Sequence, residues 1–460
     1  MSSNKFSSLP ISKAQIANLD TLGYQTMTPI QAQGLPHVLQ GKDMIAQAQT
    51  GSGKTATFGI GLLAKINPRF FGVQALILCP TRELADQVGK EIRKLARSTL
   101  NIKLVLLCGG KPFAPQKSSL EHGAHIVVGT PGRIQDHLTR GTLTLSGLEV
   151  LVLDEADRML DMGFFEVINE IIEQTPKTRQ TLLFSATYPD SIKQMCHAIL
   201  REPVSVTVEP EHKQGFVDQY FYQVKNSQRN NTLLALFEHY QPSTTVVFCH
   251  TKKQCHEVAQ FLHENQIEAL AIHGDLEQRE RDQVLVQFAN HSCSVLVATD
   301  VAARGLDIKS LAAVINFELP HDPEIYIHRI GRTGRAGATG MALSLFTEYE
   351  QARITVIEEF QQKPCVCLDS ESLNRVPGFT LQAPMVTIQL DAGRKNKLRP
   401  GDLLGALTGD AGLAGSQIGK IDIFDIFSFV AIERPALRQT LNYFVKGKVK
   451  GRSIRARKIS

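Results

Sequence analysis

Two short stretches of this sequence hold the residue types that phosphate chemistry needs. Ala48-Gln49-Thr50-Gly51-Ser52-Gly53-Lys54-Thr55 follows an apolar run and precedes a helix-forming one. In that setting the glycines let backbone N–H groups wrap a phosphate, and the helix N-terminus adds its dipole. Lys54 neutralises phosphate charge and the Thr55 hydroxyl can bind Mg²⁺. A strict P-loop has Gly where this chain has Ala48. Farther on, Asp154-Glu155-Ala156-Asp157 closes the apolar run Val150-Leu151-Val152-Leu153. Its acids thus fall at the carboxyl end of a strand, where open α/β sheets bind ligands. Asp154 suits Mg²⁺, directly or through water, and Glu155 suits orienting and deprotonating an attacking water. Alone, either motif has a plain alternative, a Gly-rich turn or a solvated helix start; together they point to a nucleoside triphosphatase. Gln31, in Thr28-Pro29-Ile30-Gln31, carries an amide that can donate and accept at the N6/N7 edge of adenine, a reason to choose ATP over GTP.

These residues need strands to end where they begin. Short Val/Ile/Leu-rich runs alternate with longer amphipathic stretches, the pattern of parallel strands covered on both faces by helices, so the fold class is α/β. Strands are expected at 44–47, 75–79, 103–108, 126–129, 150–153, 181–185 and 204–208. After a polar stretch a second series follows at 245–249, 295–298, 313–317 and 341–346. The domains are therefore 1–208, a linker 209–216, 217–367, a second linker 368–383, and 384–460. The last segment reads strand 386–390, helix 400–408, strands 419–424 and 427–433, helix 435–444 and strand 452–459. This βαββαβ order is the split ferredoxin-like unit of RNA-recognition domains, here a small α+β module.

A chain of 460 residues, 43% hydrophobic and 21% charged, with 34 Gly and 20 Pro, is globular and sized for about three domains. It has no apolar run near the length of a membrane span and no signal-peptide pattern at its start, so a cytoplasmic location is expected. Eight cysteines without a CxxC pair argue against a disulfide framework and a structural zinc, and the scattered histidines against a metal site. Met159 and Met162 read as core residues. The net charge of +5 is unevenly divided: residues 380–460 carry +8 and the remainder −3. Basic residues concentrated in one module suggest binding to a polyanion.

Taken in order, the motifs resemble those of the DEAD-box RNA helicases over roughly residues 6–365. Besides the literal Asp154-Glu155-Ala156-Asp157 they are Pro80-Thr81-Arg82-Glu83-Leu84, Gly109-Gly110, Thr130-Pro131-Gly132-Arg133, Ser185-Ala186-Thr187, Val246-Val247-Phe248, Gln278-Arg279-Glu280-Arg281, Thr299 to Asp307, and His328 to Arg335. Ala48 is what that family carries at its position. The resemblance implies two tandem RecA-like P-loop domains that close together on ATP and RNA, and an RNA-dependent ATPase that separates short duplexes without long travel. Phe6, Tyr24, Gln31, the 49–55 loop (Gln49, Thr50, Gly51, Ser52, Gly53, Lys54, Thr55) and Asp307 are then assigned to ATP, with Thr55 and Asp154 on Mg²⁺. Arg332 and Arg335 become arginine fingers, which contribute on the order of 10³ to 10⁵ in rate. Ser185 and Thr187 couple hydrolysis to closure. RNA backbone contacts fall to Pro80, Thr81, Arg82, Gly109, Gly110, Thr130, Pro131, Gly132, Arg133, Thr299, Arg304 and Gly305.

The segment Gly393 to Leu407, with Ile418 to Asp422 and Lys450-Gly451-Arg452, resembles the DbpA branch of the same family, bacterial helicases of ribosomal RNA. That branch implies binding of a 23S rRNA hairpin near the peptidyl-transferase centre, and work on maturing pre-50S particles. The basic residues Arg394, Lys395, Lys397, Arg399, Lys448, Lys450 and Arg452 are the preferred contacts. Phe427 and Phe429 lie where RNA-recognition sheets stack bases, but Thr387 replaces the usual aromatic of the first strand, so core packing competes as their role. The rival class is a non-catalytic RNA clamp or assembly scaffold of the same folds; intact Lys54, Glu155, Arg332 and Arg335 weigh against it.

Overall fold

In the computed structural model, residues 4–48, 51–99, 101–188, 190–208, 217–303, 311–334 and 339–459 are described. Gln49, Thr50, Arg304, Gly305, Asp307 and Arg335 lie outside them, as does the 209–216 linker. The chain divides into two compact units at about residue 213.

The first unit holds β1 (Met44–Gln47), β2 (Ala75–Leu78), β3 (Leu104–Leu107), β4 (Ile126–Gly129), β5 (Val150–Asp154), β6 (Gln180–Ser185) and β7 (Val204–Thr207). They form one parallel sheet in the order β3-β4-β2-β5-β6-β1-β7. Both faces are packed: Ile77, Val152 and Leu182 enter one core while Leu76, Leu151 and Leu183 enter another. That double burial is why these strands are continuous apolar runs rather than alternating ones. Register sets the chemistry. Gln47 lies beside Ser185 and Asp154 beside Phe184, so the chain leaves β1, β6 and β5 at one level.

The second unit repeats this architecture with β8 (Val217–Gln223), β9 (Thr245–Cys249), β10 (Ala269–Ile272), β11 (Val295–Thr299), β12 (Ala313–Asn316), β13 (Gly340–Phe346) and β14 (Val366–Leu368), ordered β10-β11-β9-β12-β13-β8-β14. Three of these strands, β8, β10 and β14, are absent from the sequence expectation. They lie at the flanks of the sheet: β8 (Val217–Gln223) mixes polar with apolar residues, and β10 and β14 are short apolar runs of four and three residues. The pair Cys365 and Cys367 flanks Val366 on the edge strand β14, and among the described residues every cysteine is free. No described helix is long and apolar enough to cross a membrane. Met159 is fully buried, whereas Met162 sits half-buried at a helix end.

The same unit carries the small antiparallel sheet of β15 (Met385–Leu390), β16 (Ile418–Ile423), β17 (Ser428–Glu433) and β18 (Ala456–Lys458), ordered β16-β17-β15-β18. The βαββαβ order is present, with the last strand shorter than expected, confined to Ala456–Lys458 after a tight turn at residues 449–452. The first helix, Pro400–Gly405, continues as a π turn over 406–410. Ile388, Leu390, Val430 and Ile432 face the module's own helices. The opposite face bears Thr387 and Gln389, with Ala431 and Phe429 directly across from them.

That second face is not open. Thr387 exchanges hydrogen bonds with Asn290 at 2.8 and 3.1 Å, and Gln283 donates to Gln389 at 3.3 Å. Phe429 is 1% exposed. The surface on which RNA-recognition sheets stack bases is thus covered by helix Gln278–Ala289 and its C-cap Asn290. The chain leading there is fastened as a strap. Arg375 and the Val376 N–H donate to Glu238 at 2.5 and 3.0 Å, Leu381 bridges Ile267, and the Ala383 N–H donates to Glu268 at 2.9 Å. Arg434 closes it by donating to the same Glu268 carboxylate at 2.6 Å. Phe429 is therefore a packing residue. Phe429→Ala should lower unfolding free energy by about 3–5 kcal/mol in denaturant titrations, and the partly exposed Phe427→Ala by clearly less.

Candidate nucleotide and RNA site

The nucleotide loop is shaped by its neighbours. Gly53 has φ 100°, and a Cβ there would meet the Gln31 amide nitrogen at 2.6 Å and the Thr28 hydroxyl at 2.8 Å. Those two side chains hold the loop from behind: Thr28 Oγ1 donates to the Ser52 carbonyl at 2.8 Å and Gln31 Nε2 to the Gly53 carbonyl at 3.3 Å. Gln31 Oε1 also accepts from the Thr28 N–H at 2.9 Å, capping helix Pro29–Leu39. The amide keeps a second N–H and a lone pair for adenine. Phe6 is buried edge-on to Tyr24, and the Tyr24 hydroxyl donates to Glu91 at 2.8 Å. Lys54 is buried with its ammonium on the Ala48 carbonyl at 3.0 Å, leaving two N–H groups for phosphate.

At the end of β5 three acids crowd into four residues. Burial pushes the Asp154 carboxyl up to about 7, against the pull of nearby Lys54. Asp157 is also buried, but the Thr187 N–H and Lys54 outweigh desolvation and hold its carboxyl below the usual range. Its Oδ2 accepts from the Ala186 and Thr187 N–H groups, each at 3.0 Å, and from the Thr187 hydroxyl at 3.2 Å. The β5 and β6 termini are thereby locked together. Glu155 takes the third arrangement, an ion pair with Arg158 at 2.8 Å. The Asp154 carboxylate and the Thr55 hydroxyl are hard oxygens of the kind Mg²⁺ takes.

On the other half of the sheet, the expected RNA segments follow β2, β3 and β4. Gly110 has φ 71°, and a Cβ there would lie 1.9 Å from an Arg82 guanidinium nitrogen. Arg82 therefore lies across the Gly109-Gly110 turn, and Arg133 donates to the Lys111 carbonyl at 3.1 Å. Gln116, which sequence reading missed, pins the turn by exchanging bonds with the Cys108 N–H and C=O at 3.1 and 3.0 Å. Thr81 caps helix Arg82–Leu95 through the Leu84 N–H.

In the second unit Arg329, buried to 2% exposure, donates to both oxygens of Asp300 at 2.7 Å, joining the Thr299 segment to the one carrying Arg332. Arg332 follows helix Pro323–Ile330, and its carbonyl accepts from the Leu311 N–H at 3.3 Å. In the C-terminal module the loop of Arg394, Lys395, Lys397 and Arg399 is fixed to the β16–β17 turn by the Arg394 and Lys395 N–H groups, at 2.8 and 2.9 Å. Lys450 reaches it from the tail, donating to the Lys397 carbonyl at 3.4 Å and pairing with Asp402 at 3.0 Å. Lys448 and Arg452 are exposed on the same tail.

Known families match this layout. Residues 28–195 match the DEAD/DEAH box helicase family, 228–337 the helicase conserved C-terminal domain and 387–458 the DbpA RNA binding domain. The ATP-dependent RNA helicase DbpA of Escherichia coli is 50% identical over 96% of this chain and 97% of its own length. The chain belongs to the DEAD-box RNA helicases. The helicase CshA of Bacillus cereus is 43% identical over 80% of the chain and 70% of its own length. Yeast Dbp5 bound to RNA and ADP BeF3 superposes with a TM-score of 0.72 at 29% identity, covering 80% of this chain and 96% of that one.

This DEAD-box protein is thus an ATP-dependent RNA helicase with a DbpA-type RNA-binding domain. Its sequence signalled the acids and the loop, but not the roles of Thr28, Gln116 or Arg158, whose partners are set by tertiary contact. Asp154 yields a test. A carboxyl held near 7 when folded and near 3.8 when unfolded makes the fold lose stability as pH rises between those values. In nucleotide-free protein with chelator, Asp154→Asn should raise stability at pH 8 by about 2–4 kcal/mol and hardly at pH 4, read by thermal or denaturant midpoints.

Proposed function

We propose that this helicase unwinds short RNA duplexes non-processively in the cytoplasm, that its C-terminal domain directs it to a hairpin of 23S rRNA near the peptidyl-transferase centre, and that it acts in assembly of the large ribosomal subunit. The observation that carries the catalytic part is the shared row of strand ends. β1, β6 and β5 present Lys54, Thr187, Asp154 and Glu155, while β2, β4 and β3 present the Pro80–Arg82, Thr130–Arg133 and Gly109-Gly110 segments. RNA gripped by one half of a rigid sheet and nucleotide by the other are read by the same elements.

In this reading Lys54 leaves the Ala48 carbonyl for the phosphates, and Gln31 addresses adenine with its remaining donor and acceptor. Glu155 orients the attacking water and takes its proton. Thr55 and Asp154 would hold Mg²⁺, which would offset charge on the phosphates. Arg332 and Arg335 complete the site when ATP and RNA draw the two lobes together, so hydrolysis waits for RNA. Asp157 ties this step to Thr187 directly and to the neighbouring Ser185 through the Ala186 N–H. The relative from Escherichia coli, matched along nearly its full length, supports the DbpA-type target.

The covered sheet face supports RNA contact through the basic loop and tail. Reversing Arg394 and Lys395 to Glu should weaken hairpin binding and flatten its salt dependence by about 0.7–0.9 in log–log slope per lost phosphate contact, measured by filter binding. Glu155→Gln should keep ATP binding while RNA-stimulated phosphate release falls at least about 100-fold, and Lys54→Ala should weaken binding itself. Absence of any RNA-stimulated phosphate release in the parent protein would instead support a clamp that does not turn over ATP.

A further inference from the structure

Glu155 is held by more than its place in the chain. β5 ends at Asp154, and Glu155 then adopts left-handed backbone, φ 56° and ψ 54°, as the cap of helix Ala156–Asp161. A non-glycine residue persists there only where its surroundings over-determine it. Its side chain is held by Arg158, whose Nη1 donates to Glu155 Oε2 at 2.8 Å, with side-chain exposures of 8% and 7%. At an exposed position a pair at this spacing contributes little, but with both groups buried each charge depends on the other. The Arg158 main chain is fixed as well, its N–H donating to Asp157 Oδ1 at 3.0 Å. Asp157 in turn holds Ala186 and Thr187. The clamp on Glu155 therefore stands on the same locked turn that joins β5 to β6. It engages one carboxylate oxygen and leaves Oε1 without a protein partner among the described residues.

We propose that Arg158 is a positioning residue for ATP hydrolysis: by anchoring Oε2 it fixes the Glu155 carboxylate so that Oε1 faces the attacking water. The inference rests on the assignment of Glu155 as the base. A guanidinium suits the task because its planar group presents N–H donors at fixed angles, whereas a lysine ammonium is a rotating point charge. Misplacing a reacting group by about 1 Å costs on the order of 100-fold in rate.

The experiment uses full-length protein with saturating RNA and compares single-turnover and steady-state hydrolysis. Arg158→Met should lower kcat about 10- to 100-fold, with KM for ATP and the dissociation constant of a fluorescent ADP changed by no more than about two-fold. Arg158→Lys should give an intermediate kcat. In the Glu155→Gln background, adding Arg158→Met should produce no further loss, because the group it positions is already disabled. A kcat for Arg158→Met within about two-fold of the parent, or an equal loss in the Glu155→Gln background, overturns the proposal. Should Arg158→Met fail to fold, Arg158→Lys decides: parental kcat overturns it and an intermediate kcat upholds it. If Glu155→Gln by itself leaves hydrolysis intact, the assignment of the base fails instead, which is a separate result.

Discussion

Buried negative charge at the end of β5 is the constraint on which the rest of the first unit depends. Asp154, Glu155 and Asp157 all lie below one-tenth exposure, where an ionised carboxylate without a partner is costly. Each is satisfied differently. Asp157 takes main-chain donors from the end of β6, Glu155 takes Arg158, and Asp154 is left with the attraction of Lys54 and a carboxyl pushed up to about 7. The acid that is least compensated is the one facing the phosphate loop. A fold that fully neutralised it would be more stable and would have no charge to offer a cation.

The same economy runs through the loop and the RNA-facing turns. Gly53 and Gly110 have positive φ and are crossed by side chains, Gln31 with Thr28 in one case and Arg82 in the other. Neither site could accept a Cβ without displacing the group that shapes it. These contacts explain how short motifs separated by dozens of residues act as a unit. Each is the terminus of a strand in one parallel sheet, and register brings the termini level.

In the C-terminal module, packing covers one face of the sheet. An RNA-recognition sheet normally exposes its aromatic face to bases. Here Thr387, Gln389 and Phe429 are buried, the first two bonded to Asn290 and Gln283. The strap of Arg375, Leu381 and Ala383 is bonded along its length rather than free. What remains open is the edge bearing the basic loop and tail, joined by Lys450. Its charge is consistent with backbone-dominated recognition.

Sequence alone determined the parallel α/β architecture, because strands buried on both faces must be apolar throughout, and it determined the phosphate loop and the acids, because their chemistry is carried by residue type and short spacing. The βαββαβ order was equally legible from its turns and apolar runs. Flanking strands β8, β10 and β14 were not, since β8 mixes polar with apolar residues and the other two are apolar runs of only four and three residues. The fate of Phe429 and the work of Thr28, Gln116 and Arg158 were decided only by tertiary structure. Arg158 belongs to no motif along the chain, and Thr387 reads as a missing aromatic. Which polar group is buried, and against whom, depends on contacts between distant segments, and a local pattern holds no record of them.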